Sequence, residues 1–242
     1  GPRLFKVRKP APALVGVMSS SSYLERAHCG RRPPGFCELR LVARPPNVAA
    51  SAAEVLRQPL IVPARHPDEG GRNRLSTRQR RDLLLRFLPY AAFVDVELRS
   101  AKTLPSILEA AADRAVKRII SVHALERTPS LRELQNIVQR ARTFSPELVK
   151  IVTRTDRADE LARLLDFFEQ EKNRHPMCAM GVGRLGRESR IALARRGSFL
   201  HYVHLGTRTV PRQPSISVAR RLGLASCTPS RPTNMPVIPP QS

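Results

Sequence analysis

Eight short apolar segments recur along the chain at intervals of roughly 20 to 35 residues, and this rhythm limits the fold more than any other feature. They run from Leu14 to Met18, Phe36 to Leu41, Leu60 to Ala64, Phe93 to Leu98, Arg118 to Val122, Leu148 to Val152, Met177 to Met180 and Leu200 to Val203. Each has the length of a strand. Between them, the stretches Ser76 to Leu88, Thr103 to Val116, Ser130 to Thr143 and Asp156 to Lys172 carry apolar residues at three and four spacing behind a Ser, Thr or Asp cap. In the second of these, Leu104, Ile107, Leu108, Ala111 and Ala115 share one side. Strand and helix alternating eight times predicts an α/β fold, a single-domain (β/α)8 TIM barrel. The helices after the first, second and seventh segments are less distinct. A chain of 242 residues suits one such domain, assigned to residues 1–225. Residues 226–242 hold five prolines and little periodicity, and read as a tail without chemistry.

Barrels of this kind carry their working residues at the C-terminal ends of the strands. Those ends supply Glu38 and Arg40 on the second strand, Arg65 and Glu69 after the third, His123 after the fifth, Lys150 on the sixth, Arg190 after the seventh and Gln213 after the eighth. Lys150 is singular: the chain has six lysines against thirty-six arginines, and this one lies inside Leu148-Val149-Lys150-Ile151-Val152. One reading is a strand-end lysine whose stem packs while its head reaches water. The other is a buried amine, kept partly neutral by burial and a nearby cation, that attacks a carbonyl. A ring of one lysine, one histidine, carboxylates and arginines suits an oxygen-rich anion held around an amine.

The net charge of +22 raises nucleic-acid binding, because clustered cations release counterions from phosphates. The arginines are nevertheless spread from Arg3 to Arg231, and clusters such as Arg78-Gln79-Arg80-Arg81 and Arg220-Arg221 read as exposed helix faces. Nucleic acid is therefore not the expected partner. Cys29, Cys37, Cys178 and Cys227 show no metal-type spacing and read as free thiols. No apolar run approaches the roughly 18 to 20 residues of a membrane span, and the start lacks a signal-peptide pattern, so a soluble cytoplasmic protein is expected. The Gly1-Pro2 start reads as a cleavage scar.

The polar residues fall within motifs that resemble the type I 3-dehydroquinate dehydratases, or type I dehydroquinases, from about Leu14 to Val218. They are Glu38-Leu39-Arg40, Arg65-His66-Pro67-Asp68-Glu69-Gly70-Gly71, Asp95-Val96-Glu97-Leu98, Ile120-Ser121-Val122-His123, Thr128-Pro129, Val149-Lys150-Ile151, Met180-Gly181 with Ser189-Arg190, and Pro211-Arg212-Gln213-Pro214. The resemblance implies a barrel that dehydrates 3-dehydroquinate to 3-dehydroshikimate in the shikimate pathway, as a homodimer and without metal or cofactor. It implies that Lys150 forms a Schiff base with the substrate ketone, that His123 is the general acid and base, and that Glu69 supports the histidine. Arg190 then anchors the substrate carboxylate, and Glu38, Arg40, Arg65, Thr209 and Gln213 surround its hydroxyl-bearing ring. Asp95 and Glu97 read as supporting or barrel-filling groups.

Three positions depart from the family pattern. Val42 stands where an aspartate is usual, Ala124 where Asp or Asn follows the histidine, and Arg212 where Pro-Gly-Gln has its glycine. With the charge, they motivate a competing reading: a catalytically impaired barrel that binds a ligand or nucleic acid.

Overall fold

The computed structural model describes residues 13–18, 35–39, 59–69, 74–205 and 213–224. Each of the eight apolar segments forms a strand: β1 (Ala13–Met18), β2 (Phe36–Leu39), β3 (Leu60–Pro63), β4 (Ala91–Glu97), β5 (Lys117–Ala124), β6 (Leu148–Arg154), β7 (Met177–Val182) and β8 (Leu200–His204). All pairings are parallel, in the order β7-β6-β5-β4-β3-β2-β1-β8. The two ends of that sheet meet: Phe199 N donates to the Met177 carbonyl (3.1 Å) and Cys178 Sγ to the Leu200 carbonyl (3.1 Å). The result is the expected, nearly closed (β/α)8 barrel.

Alternation along the strands divides the core in two. Val15, Val17, Ile61, Phe93, Ile119, Leu148, Cys178 and Leu200 pack together inside the barrel. Val62, Val94, Val96, Ile120, Val149 and Ile151 face outward, against helix residues such as Leu84, Ile107, Leu134, Leu164, Phe167 and Leu193. Apolar residues therefore occupy both faces, which is why the strands read as continuous runs rather than alternating ones.

Among the described residues the helices are α1 (Thr77–Phe87), α2 (Leu98–Ala101), α3 (Pro105–Asp113), α4 (Leu131–Arg142), α5 (Ala158–Glu171), α6 (Gly186–Arg195) and α7 (Ile216–Arg221). Ser76 and Ser130 cap α1 and α4 in reciprocal boxes with Gln79 and Glu133, each cap contributing about 1 kcal/mol. The helix expected over 103–116 is shorter at both ends. Pro105 occupies its first turn. Ala115 is exposed in a left-handed conformation (φ 56°), while Val116 N closes the turn on the Ala111 carbonyl at 2.8 Å. Ala115 thus leaves the apolar face on which its spacing placed it. The helix after β7, indistinct in sequence, is α6. No helix among the described residues is long and apolar enough to cross a membrane. Arg40, Val42, Thr209, Arg212 and the segment 226–242 lie outside the described residues.

Candidate active site

Strand register brings the inward polar residues to one level. Glu97 pairs with Ser121, Ser121 with Lys150, and Lys150 with Cys178, so β4, β5, β6 and β7 each present one of these side chains at the same height. His123 lies two residues beyond Ser121, one step nearer the C-terminal mouth. Below them the barrel is apolar, which isolates the charges from bulk water and strengthens their interactions.

Lys150 is 3% exposed, so its head does not reach solvent as the packing alternative requires. Its Nζ donates to Asp95 Oδ2 at 3.0 Å and lies 3.6 Å from Glu38 Oε2. The same nitrogen stands 4.1 Å from the centroid of the Tyr202 ring, a cation-π contact inside a desolvated site. Among the described residues, the charged groups within ion-pairing distance of this lysine are carboxylates.

Arg65 ties the lysine's partner to the histidine. Its Nη2 and Nη1 donate to the two oxygens of Asp95 at 3.0 and 3.3 Å, a bidentate pairing that lysine cannot reproduce. Nη1 also donates to Ser121 Oγ (3.0 Å) and Glu97 Oε1 (3.4 Å) and lies 3.5 Å from His123 Nδ1. Burial alone would raise the Asp95 pKa; the Arg65 guanidinium and Lys150 ammonium outweigh it and hold this carboxyl well below its usual range. For Arg65, burial acts downward, but Asp95, Glu97 and Glu38 together leave the guanidinium more firmly protonated than usual.

Glu69 sits in the 3-10 turn Pro67–Glu69 just past β3. Its Oε2 lies 2.9 Å from His123 Nδ1 and accepts the His123 backbone N–H at 3.0 Å, so one oxygen fixes both ring and main chain. Burial, then the nearby Glu97 carboxylate, push the Glu69 pKa up to about 7, against the opposing Arg65 charge and His123 N–H.

The structure thus gathers Glu38, Arg65, Glu69, His123 and Lys150 into one connected network. Arg190 is buried on α6, its Nη1 donating to the Tyr202 carbonyl at 3.4 Å, behind the ring that faces Lys150. Gln213 is buried just before the bridge between Ser215 and His204 that follows β8. Arg40 and Thr209 lie outside the described residues, as do Val42 and Arg212; Ala124 ends β5 beside Thr153. Among the described residues no cluster of His, Cys, Asp and Glu has metal-binding geometry. Cys37 and Cys178 are buried free thiols, their pKa values pushed up by burial to about 12 and 11.

Four residues carry more of this site than the sequence indicated. Asp95 touches the amine directly, so it is not merely a barrel-filling group; its inward alternation with Glu97 was the available signal. Ser121 signals itself as a polar residue two before His123. Tyr202 carries no such mark. Arg80 corrects an expectation: read as part of an exposed helix face, it is 2% exposed and bonds to Glu97 Oε2 at 2.5 Å. The inward stripe of α1 meets the carboxylate at the end of β4, and that charge draws the guanidinium inside.

Comparison with known proteins bears on this geometry. Residues 41–223 match the family model described as type I 3-dehydroquinase. The chain is 33% identical over 165 residues to the 3-dehydroquinate dehydratase of Methanothermobacter thermautotrophicus, covering 68% of this chain and 71% of that one. It is 32% identical over 155 residues to that of Methanocella arvoryzae, covering 64% and 69%. In fold it is similar to a type I 3-dehydroquinate dehydratase of Clostridium difficile with covalently modified comenic acid, at TM-score 0.78 and 18% identity over 88% and 91% of the two chains. It is also similar to the 3-dehydroquinate dehydratase of Geobacillus kaustophilus, at TM-score 0.79 and 20% identity over 87% and 89%.

Proposed function

The chain belongs to the type I 3-dehydroquinase family, and we propose that it dehydrates 3-dehydroquinate to 3-dehydroshikimate through an imine formed on Lys150. The observation that carries this reading is the buried amine of Lys150, joined through Asp95 and Arg65 to a histidine that Glu69 orients.

In the proposed reaction the unprotonated Lys150 amine attacks the substrate ketone, and loss of water leaves a protonated imine. The proton shed by the ammonium goes to Glu69, with its pKa near neutrality, or to the imidazole beside it, and returns to the carbinolamine hydroxyl as it leaves as water, so that the imine ends protonated and the imidazole neutral. The iminium withdraws electrons from the neighbouring carbon and acidifies its C–H. His123 removes that proton through Nε2, while Nδ1 donates to Glu69 and so keeps Nε2 unprotonated. The C–H pair forms an enamine; its nitrogen lone pair then re-forms C=N while the carbon pair makes the new C=C bond and expels the β-hydroxyl, which takes the proton from His123 and departs as water. Hydrolysis of the conjugated imine returns the amine and releases the enone.

Asp95 holds the lysine head in place before attack, and the Tyr202 face stabilises a cation at the same point, whether ammonium or iminium. Arg190 is assigned to the substrate carboxylate by its planar fork, and Glu38, Arg40, Thr209 and Gln213 to the ring hydroxyls. Family membership also motivates a homodimer, a cytoplasmic place of action and a reaction that recruits no metal or cofactor.

The test is enone absorbance after addition of 3-dehydroquinate to the purified chain. Absorbance that grows with protein and vanishes in Lys150→Ala supports the reading. Binding of dehydroquinate without absorbance gain favours the competing one, a barrel that keeps its pocket and lacks turnover.

A further inference from the structure

Arg80 is an unexpected cation. It lies on α1, outside the barrel wall, yet it is among the largest fully buried side chains of the protein. An apolar residue would serve packing there without the cost of desolvating a charge. Each part of its guanidinium is used. Nε donates to the Ala64 carbonyl at 2.8 Å, Nη1 to Ser100 Oγ at 3.0 Å and Nη2 to Glu97 Oε2 at 2.5 Å. One side chain therefore binds the segment leaving β3, the end of β4 and the short helix after it.

Two of those acceptors converge on Arg65. Ala64 directly precedes it, so the bond to the Ala64 carbonyl holds its backbone. Glu97 Oε1 accepts from Arg65 Nη1 (3.4 Å) and from the His66 N–H (2.8 Å), so the carboxylate fixed by Arg80 holds both the head of Arg65 and the chain after it. From there Arg65 Nη1 donates to Ser121 Oγ and stands 3.5 Å from His123 Nδ1. We propose that Arg80 is a positioning residue: from behind the barrel wall it fixes Glu97, and through Glu97 and the Ala64 carbonyl it sets where Arg65 stands beside His123.

Its charge has a second effect. Glu97 faces Glu69, so neutralising Glu97 from behind limits the repulsion that Glu69 feels. The groups facing this pair are Arg65 after β3, Arg99 on α2 and the His123 N–H on β5; Arg99 is itself paired with Asp68 at 2.9 Å. Without Arg80, Arg65 is the one cation among the described residues still paired with Glu97, and both Glu69 and the histidine it bonds should bind protons more readily.

The inference rests on the proposed roles of His123 and Lys150, but one of its tests needs no substrate. The imidazole titration of His123 in the resting protein, followed by NMR, should move upward by about half a pH unit or more in Arg80→Met. With 3-dehydroquinate, the same variant should lose about 10- to 100-fold in kcat while KM changes less than about threefold, as misplaced catalytic groups demand. Arg80→Lys keeps a charge without the fork and should recover the titration but only part of kcat. In R80M/E97Q both buried charges are gone; its melting temperature should recover, and its kcat should not, because Arg65 has lost a carboxylate partner. Arg80→Met with a lowered melting temperature, an unmoved His123 titration and unchanged kcat would reduce Arg80 to packing. If Arg80→Met does not fold, Arg80→Lys decides: wild-type kcat overturns the proposal, and reduced kcat with unchanged KM supports it. A wild-type protein that produces no enone defeats the proposed function, while the His123 titration still decides whether Arg80 is coupled to the histidine.

Discussion

Lys150 and Asp95 form a buried ion pair across the barrel interior, Nζ to Oδ2 at 3.0 Å, with both side chains almost wholly shielded from water. Neither strand neighbours the other in the sheet, since β5 lies between β4 and β6. The pair therefore spans the space above the apolar floor, and under the proposed reaction it marks where the substrate carbonyl enters.

Asp95→Asn leaves Lys150 and the bidentate arm of Arg65 without their carboxylate. Removing one partner of a buried pair typically costs about 3–5 kcal/mol, so a large fall in urea midpoint is expected at pH 7. The native state holds Asp95 below its usual range, so its stabilisation is present above an unfolded-state pKa of about 3.9 and is lost as pH falls through the depressed folded value. The gap between wild type and Asp95→Asn should accordingly be full at pH 7 and narrow in acid well below pH 4. A constant gap down to the lowest foldable pH would contradict this electrostatic account.

Glu69 should set the acid limb of activity. The proposed base needs an ionised Glu69 to accept the Nδ1 proton, and that carboxyl has its pKa pushed up to about 7. Turnover should rise with pH through this region, and Glu69→Gln should be slower without that limb. Stability has the opposite sign. A raised folded pKa means that the native state binds the proton more tightly, so stability falls as pH rises from about 4.5 to 7. At pH 8, Glu69→Gln should be more stable than wild type by up to about 3 kcal/mol, read from denaturation midpoints. A destabilised Glu69→Gln at pH 8 would show that the carboxylate is favourably solvated in the fold.

Arg190 should act in binding. If its fork holds the substrate carboxylate, Arg190→Lys should raise KM by about 10-fold or more and lower kcat less, because the contact is made equally in substrate and transition state. An unchanged KM would return Arg190 to the structural bond it makes with the Tyr202 carbonyl.

Much of the framework was legible from the sequence for a plain reason. Strands buried on both faces appear as uninterrupted apolar runs, so all eight could be located, and a charged residue inside such a run, as at Lys150, announces an interior polar site. Helix limits were less legible where termination used no glycine: Ala115 reads as a helix former, yet its positive φ ends the segment. Arg80 was illegible for a different reason. A cation in an arginine-rich helix reads as solvated, and only the third dimension shows the Glu97 carboxylate at the end of β4 that holds it inside. The same holds for Tyr202, an ordinary interior aromatic until its ring is seen against Lys150.

The central claim is the covalent role of Lys150. The direct measurement is borohydride reduction of the protein in the presence of 3-dehydroquinate, followed by mass spectrometry of the digested chain. A substrate-derived mass increase on the peptide carrying Lys150, dependent on borohydride and lost in Lys150→Ala, is the expected result. Turnover with Lys150 unmodified, or an adduct on another residue, would contradict it.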